Sequence, residues 1–157
     1  MKKVIYPGTF DPPHLGHIDI VKRASLIFDE VFIAIAKNPH KNPMFDADYR
    51  KYLLDKILKA ENLKNVNVEV FNTTLVEYAK SKNIKLVIRG VRLFTDFEYE
   101  LQISMSNYVL GNIETLFMMP SQEYIHISST IVRDLIRYRA PLKGFVHPAI
   151  EKELSSL

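Results

Sequence analysis

Two histidines spaced three residues apart stand in a turn near the start of the chain, where their rings could bind a phosphate. His14 and His17 end the stretch 6–17, which also contains two glycines, three prolines and Thr9. An apolar run at 4–6 predicts a buried strand before this stretch, and the residues after it have helical spacing. Strand-to-helix turns bind phosphates in α/β proteins, because the first N–H groups and the dipole of the helix attract anions. His17 can donate a hydrogen bond to a phosphate oxygen in either charge state.

Polar and cationic side chains also follow the other predicted strands. The residues with phosphate-binding chemistry at those places are Lys41, Thr74, Arg89, Arg92, Tyr124, Ser128, Ser129 and Thr130. The carboxyl ends of parallel strands meet at one edge of a sheet, which is where such sheets bind ligands. Arginine grips a phosphate through two N–H groups, and a helix start offers further N–H donors. The sequence therefore predicts a site for a polyanionic small molecule at this edge.

Several common motifs of nucleotide and metal proteins are missing from the sequence. There is no P-loop pattern and no three-glycine dinucleotide fingerprint, which argues against a P-loop enzyme and a nicotinamide dehydrogenase. The chain has no cysteine, which excludes disulfides and thiolate metal sites. A metal site built from Asp11, His14 and His17 is conceivable, but no second ligand cluster completes it.

The composition is that of an ordinary globular protein. Of 157 residues, 47% are hydrophobic and 25% are charged, which suits a single domain over residues 1–157. The longest apolar run, at 31–36, is far shorter than the roughly 20 residues that span a bilayer, and Pro7 follows too soon for a signal peptide. The net charge of +3 comes without a long run of Lys or Arg. We therefore expect a cytoplasmic protein that binds neither a membrane nor a nucleic acid.

Apolar strands alternate with helical segments along the whole chain. The predicted strands cover 3–6, 30–36, 66–71, 86–88 and 114–119. Helices are predicted to begin near His17, after Asp46, at Thr74 in a capping box, at Asp96, at Ser128 or Ser129, and at Pro148. Such an alternation predicts the α/β class, as a single-domain, Rossmann-like, doubly wound sheet of five parallel strands with flanking helices.

The predicted helix from Asp96 to about residue 110 has apolar residues around most of its circumference. They are Phe97, Tyr99, Leu101, Ile103, Met105, Tyr108 and Val109. A helix of this kind is either buried deeply or packed on another subunit. We expect a homo-oligomer, with the central helix of a monomer as the alternative.

Two motifs resemble the signature of the nucleotidyltransferase superfamily. The first is Gly-Thr-Phe-Asp-Pro followed by His-x-Gly-His, within 8–17, and the second is Ile-Ser-Ser-Thr at 127–130. Further segments extend the likeness over nearly the whole chain, at 42–45, 88–92, 96–100 and 119–121. In combination they resemble bacterial phosphopantetheine adenylyltransferase. That resemblance implies transfer of the adenylyl group of ATP to 4′-phosphopantetheine, giving dephospho-coenzyme A and pyrophosphate in coenzyme A biosynthesis.

The same resemblance implies roles for individual residues. His17 would stabilise the pentacovalent transition state, with Lys41 and Arg89 as further catalytic residues. The implied contacts of phosphopantetheine are Thr9, Lys41, Thr74, Leu75 and Arg89. The implied contacts of ATP are Thr9, Phe10, His17, Gly90, Val91, Arg92, Glu100, Tyr124, Ile125, His126, Ile127, Ser128, Ser129 and Thr130. Glu100 could alternatively pair with Arg92 instead of contacting the nucleotide.

The resemblance also implies Mg²⁺ and assembly into a homohexamer. No carboxylate cluster looks like a dedicated metal site, so we expect no metal ligand from the chain and Mg²⁺ carried by ATP. The family often has Thr-Asn-Gly-His where this chain has His14-Leu15-Gly16-His17, and the role of His14 stays unassigned.

Two other functions remain open. One is a nucleotidyltransferase acting on nicotinamide mononucleotide or glycerol phosphate, and the other is a non-enzymatic nucleotide sensor or nucleic-acid-binding module.

Overall fold

In residues 1–37 and 42–157, which the computed structural model describes, five parallel strands form one sheet. The strands are β1 (Lys3–Gly8), β2 (Glu30–Ala36), β3 (Val66–Phe71), β4 (Leu86–Gly90) and β5 (Glu114–Met118). Their order is β3-β2-β1-β4-β5, so the chain builds outwards from β1 on one side and then on the other. The order reverses between β1 and β4, and ligands bind in such sheets at the carboxyl ends of the strands beside this point.

Six α-helices in the same ranges flank the sheet. They are α1 (Leu15–Ile27), α2 (Ala47–Ala60), α3 (Leu75–Ser81), α4 (Phe94–Gly111), α5 (Ser129–Arg137) and α6 (Pro148–Ser155). The parallel sheet and the alternation of strands with helices confirm the predicted fold class.

Successive residues of the central strands face opposite sides of the sheet. Val4 and Tyr6 of β1 belong to a core that also contains residues of α1, α2, α5 and α6. Ile5 belongs to a second core with Val76 and Ala79 of α3. Because both faces are covered, β1 and β2 are nearly continuous apolar sequences instead of alternating ones.

Three predicted helix caps are present. Asp46, Thr74 and Ser128 each accept a side-chain hydrogen bond from the N–H group three residues later. Pro148 is the first residue of α6, as its fixed φ angle predicts. A cap is an interaction between near neighbours in the chain, and its residue types are therefore visible in the sequence.

The predicted start of α1 near His17 is wrong. The helix begins at Leu15, which makes His17 its third residue, with His14 in the extended conformation before it. The Leu15 N–H donates to the carbonyl of Phe145 at 3.0 Å. A partner far along the chain therefore satisfies a first-turn donor that no side chain caps, and the local pattern does not reveal it.

The predicted cap of α4 is also wrong. The helix begins at Phe94, two residues before Asp96. The Asp96 carboxylate accepts the N–H of Leu93 at 3.3 Å from the first turn of the helix. This contact is the returning half of a capping box, in which the acidic residue lies inside the helix.

Smaller differences concern the ends of elements. β1 continues to Gly8 instead of ending at residue 6, and β5 ends at Met118. α5, which the apolar spacing predicts to run through Tyr138, ends at Arg137 with Tyr138 as its C-cap. A 3₁₀ turn at Gln122–Tyr124 was not predicted.

The apolar surface of α4 is turned to solvent. None of its residues is buried, and Phe94 and Val109 are 86% and 82% exposed. Leu116 on the neighbouring strand β5 is exposed too. The alternative of a central helix in a monomer is therefore wrong, whereas packing on another subunit stays a prediction. Within the ranges described above, no helix is long and apolar enough to cross a membrane.

Candidate active site

The turn after β1 lies against the start of α5, although the two are more than a hundred residues apart in the chain. The Ser129 hydroxyl donates to the carbonyl of Pro12 at 3.0 Å. Phe10 is 2% exposed and has a φ angle of 52°, in the left-handed region. Its ring lies against Gly8, where an added Cβ would approach it to 3.0 Å. The two sequence motifs thus form one surface at the carboxyl end of β1.

Hydrogen bonding fixes the tautomer of His17. Its Nδ1 accepts the backbone N–H of His14 at 3.2 Å, so the proton of the neutral ring is carried on Nε2. The ring stacks on His14 with centroids 3.6 Å apart and meets the edge of Phe10 at 4.9 Å. These contacts hold an N–H donor in one orientation, as a site that stabilises developing charge requires.

Both histidines are neutral at physiological pH. Burial, together with the positive charge of Arg92, lowers the pKa of His17 to about 3. Burial, followed by the neighbouring His17 and Arg92, holds the pKa of His14 well below its usual value. In the part of the chain that the structure describes, the buried Nδ1 of His14 has no hydrogen-bond partner. His17 is therefore available as a neutral hydrogen-bond donor.

Arg89 lies at the end of β4, beside the end of β1. Its Nε and Nη2 donate to the two carboxylate oxygens of Glu100 at 2.5 and 2.7 Å, and Nη1 donates to the carbonyl of Pro7 at 3.1 Å. The alternative pairing of Glu100 with Arg92 is therefore wrong. Glu100, on α4, orients the guanidinium of Arg89 towards the point where the sheet order reverses.

Arg92 connects the loop after β4 with the second motif. Its Nη1 donates to the carbonyl of Ile127 at 3.0 Å, and its Nε lies 3.7 Å from the Asp96 carboxylate. The loop itself is joined to β5 by the Val91 N–H, which donates to the carbonyl of Met118. Gly90, Arg92, Thr95, Asp96, Tyr99 and Glu100 line a cavity of about 400 Å³.

The segment 124–130 includes the start of α5. Ile127 is completely buried, its N–H donates to the carbonyl of Tyr124, and its carbonyl accepts from Arg92. The His126 ring meets the edge of Phe145 with centroids 5.8 Å apart. Ser128 caps the helix, and the Thr130 hydroxyl accepts from Arg133 at 3.1 Å. Tyr124 ends the 3₁₀ turn, and Ile125 follows it.

Thr74 and Leu75 lie at the same edge of the sheet but away from the turn. They follow β3, which is separated from β1 by β2. The Thr74 hydroxyl is occupied by Glu77, because it accepts the Glu77 N–H at 3.2 Å and donates to the carboxylate at 2.9 Å. Lys41 lies outside the described residues.

Sequence reasoning missed Arg133. It stands one helical turn after Ser129 on α5 and donates to the carbonyl of Asp11 at 2.7 Å. It lines a cavity of about 660 Å³ with Thr9, Asp11, Asn42, Pro43, Met44, Ser129 and Arg137. The spacing of four residues from Ser129 was the signal that could have placed Arg133 on the same helix face.

The described residues form no side-chain cluster that would hold a magnesium ion by itself. In the residues outside the gap at 38–41, no group of three or more His, Asp or Glu side chains converges. The Asp11 carboxylate accepts the N–H groups of Met44 and Phe45, and that of Glu100 is occupied by Arg89. Mg²⁺ is commonly held by the phosphates of a nucleotide, by water and by only one or two carboxylates, and these two carboxylates are already engaged.

Comparison with known proteins agrees with this geometry. The cytidylyltransferase-like family model matches residues 5–135. The chain is 56% identical to the phosphopantetheine adenylyltransferase of Aquifex aeolicus (strain VF5), over 98% of this chain and 94% of that protein. It is 48% identical to the Campylobacter curvus (strain 525.92) protein of the same name, over 92% of each.

A solved structure shares the fold at low sequence identity. It is a putative nicotinate-nucleotide adenylyltransferase from Vibrio parahaemolyticus, 21% identical, with a TM-score of 0.73 over 98% of this chain and 91% of that chain. At this identity the likeness shows the fold alone. The relatives cover nearly the whole chain, and the His17 turn, Arg89 and the start of α5 meet at one sheet edge. The chain therefore belongs to the cytidylyltransferase-like family and, within it, to the phosphopantetheine adenylyltransferases.

Proposed function

We propose that the chain is a pantetheine-phosphate adenylyltransferase of coenzyme A biosynthesis. It transfers the adenylyl group of ATP to 4′-phosphopantetheine and releases dephospho-coenzyme A and pyrophosphate. The observation that carries the proposal is the meeting of the His17 turn, Arg89 and the start of α5 at one sheet edge. It occurs in a chain 56% identical to a protein named for this activity.

The transfer needs no general base from the chain. An oxygen of the acceptor phosphate is already anionic, and it attacks the α-phosphorus of ATP in line with the leaving oxygen. The new P–O bond forms as the bond between the α-phosphorus and the bridging oxygen breaks, and pyrophosphate leaves with that electron pair. Catalysis then consists of positioning and stabilisation of charge.

His17 has the geometry for the second of these tasks. Its Nε2–H donates to an oxygen of the transferred phosphoryl group, where negative charge develops in the pentacovalent transition state. The backbone of His14 holds the ring, so little reorganisation is needed when the charge appears. Because the ring is neutral, this donor keeps its proton over the physiological pH range.

Arg89 and Thr9 are proposed to bind the acceptor phosphate. Both stand at the carboxyl end of the central strands, and the fork of Arg89 is already oriented by Glu100. Lys41 is proposed to add charge from the loop after β2, and Thr74 and Leu75 to bind the pantetheine arm at the sheet edge. A guanidinium gives bidentate recognition of a phosphate, which an ammonium does not.

ATP is proposed to bind across the loop after β4 and the start of α5. These two segments are joined through Arg92 and Ile127, which supports their acting together. Phe10, Gly90, Val91, Glu100 and residues 124–130 complete this half of the proposed site. We propose that Mg²⁺ arrives with ATP, since the carboxylates of Asp11 and Glu100 are engaged elsewhere.

We further propose that the chain assembles into a homohexamer and acts in the cytoplasm. The exposed apolar surface of α4 supports self-association, because large contiguous apolar patches on soluble proteins mark interaction sites. The location follows from the proposed use of ATP in a biosynthetic reaction.

The decisive experiment supplies ATP with 4′-phosphopantetheine and measures pyrophosphate. We expect stoichiometric pyrophosphate and dephospho-coenzyme A. Parallel reactions contain nicotinamide mononucleotide or glycerol phosphate as acceptor. Release of pyrophosphate with one of these and none with phosphopantetheine would assign another nucleotidyltransferase activity, and none with any acceptor would favour a nucleotide sensor.

A further inference from the structure

Arg50 is a charged side chain in the core. It lies on α2, is 2% exposed, and points into the space between that helix and the turn after β1. Its guanidinium bonds to main-chain carbonyls: Nε donates to Phe45 at 3.0 Å and Asp46 at 3.2 Å, and Nη1 donates to Thr9 at 2.5 Å. Burying a charged group costs free energy unless its N–H groups form hydrogen bonds. An arginine at this position therefore stabilises the core less readily than an apolar side chain of similar size would.

The buried carboxylate of Asp11 complements these bonds. Asp11 is 4% exposed and accepts the N–H of Met44 at 2.7 Å and of Phe45 at 2.9 Å. Arg50 and Asp11 therefore join the same two chain segments, 9–11 and 42–46, Arg50 as a hydrogen-bond donor and Asp11 as an acceptor. Arg50 donates to carbonyls of both segments, and Asp11 accepts N–H groups of segment 42–46. Phe45 is therefore held through its N–H and through its carbonyl.

The two joined segments carry the acceptor side of the proposed site. Segment 9–11 contains Thr9, and segment 42–46 continues directly from Lys41. Thr9, Asp11, Asn42 and Met44 line the cavity of about 660 Å³ described above. The ATP side is held by different contacts, between Arg92 and Ile127 and between Ser129 and Pro12.

We propose that Arg50 is a positioning residue for the transfer reaction, which fixes segments 9–11 and 44–46 relative to each other and so presets the acceptor-phosphate half of the site. Asp11 is its counterpart. Arg50 itself touches no substrate and acts through the main chain of Thr9 and Phe45. This inference rests on the proposed function, since it assigns the acceptor to that half.

The test separates positioning from mere stability. Arg50→Met keeps much of the apolar stem and removes every N–H donor. We expect the KM for phosphopantetheine to rise about tenfold or more, because misplacement of binding groups by about 1 Å is costly, with the KM for ATP changed less than about threefold. Arg50→Lys retains the charge and one donor group, so an intermediate rise is expected.

Leu58→Ala is the matched control. Leu58 is a buried residue of the same helix near its other end, so its truncation destabilises the protein without reaching the turn. Each variant is measured as the full chain at matched folded fraction by circular dichroism. The proposal is overturned if the two KM values change equally in Arg50→Met, or if Leu58→Ala gives the same split.

Two further measurements cover the cases in which Arg50→Met does not fold or the acceptor is not phosphopantetheine. Should Arg50→Met fail to fold, Arg50→Lys and Asp11→Asn carry the test, and both must raise the KM for phosphopantetheine selectively. If the wild-type protein uses a different phosphate-bearing acceptor, the proposed function fails. The same selective rise with that acceptor would then support the role of Arg50, and its absence would overturn it.

Discussion

His17 carries its proton on Nε2 because its other ring nitrogen accepts the backbone N–H of His14. Burial keeps the ring neutral, so the residue offers one N–H in one direction. The guanidinium of Arg89 is likewise held in one orientation, by hydrogen bonds to the Glu100 carboxylate and the Pro7 carbonyl. At the scale of single residues, the site consists of donors that are oriented by the main chain or by a carboxylate before any substrate arrives.

Replacing His17 with alanine tests the importance of its donor. Turnover should fall by about 10²–10³, the usual effect of removing one such donor, with a small change in the KM for ATP. Steady-state kinetics with saturating phosphopantetheine measure both values. His147→Ala is the control, since His147 caps α6 and is not among the proposed contacts of either substrate. Near-normal turnover in His17→Ala would contradict the assigned role.

The pH dependence of stability should reflect the same ring. Because the pKa of His17 in the folded protein is about 3, the unfolded chain binds more protons than the folded one between that value and about 6.5. The free energy of unfolding should therefore decrease as the pH falls from 7 to 5. Urea unfolding at several pH values measures it, and His17→Gln should show a shallower decrease. Equal slopes for the two proteins would contradict the prediction.

Replacing Arg89 with lysine tests the oriented fork. Lysine keeps the charge but cannot bond at once to Glu100, Pro7 and a phosphate with the same geometry. We expect the KM for phosphopantetheine to rise about tenfold, which is the change in affinity expected when one charge-assisted hydrogen bond is lost. Arg139→Lys, at an exposed position, should leave the kinetics unchanged. A normal KM in Arg89→Lys would show that charge alone suffices there.

At the scale of elements, the site is assembled from the ends of strands and the starts of helices. α1 begins at Leu15 because a distant carbonyl, that of Phe145, receives its first N–H. α5 reaches the turn after β1 through Ser129, and Arg133 follows one helical turn later. α4 contributes Glu100 to the site while most of its apolar residues stay exposed.

The cap of α3 gives a prediction at this scale. Thr74→Ala removes a side chain that both accepts from and donates to Glu77. The free energy of unfolding should decrease by about 1 kcal/mol, the usual effect of losing a threonine cap. Urea unfolding measures the change, with the preceding Thr73→Ala as the control. A difference of less than about 0.3 kcal/mol between the two variants would mean that the cap contributes little.

At the scale of the whole molecule, two surfaces differ in composition. The carboxyl edge of the sheet gathers histidine, arginine and hydroxyl groups from both ends of the sequence. The side covered by α4 exposes aromatic and aliphatic residues to water. Because Glu100 lies on α4, contact between subunits there would border the proposed site.

A charged residue on α4 tests the proposed self-association. Val109→Asp places a carboxylate at a position that is 82% exposed in the single chain, so folding should be retained. We expect light scattering to give an assembly for the wild-type protein and a smaller species, down to a monomer of 18.2 kDa, for the variant. Leu26→Asp, at an equally exposed apolar position on α1, should leave the assembly intact. A monomeric wild-type protein would contradict the proposal.

The sequence alone determined the class of fold, most element boundaries and the motifs of the site. Apolar periodicity is a local signal, and so are the caps at Asp46, Thr74 and Ser128. The resemblance supplied the family and the residue types of the site, because those are carried by short runs such as 8–17.

Only the tertiary structure decided which of these residues meet and how they are oriented. The pairing of Arg89 with Glu100, the joining of two segments by Arg50 and the exposure of α4 have no signature in local spacing. Each depends on packing between elements that are distant in the chain, and the burial that lowers the pKa of His17 arises from the same packing. Local pattern specifies elements, whereas contacts between them specify the site.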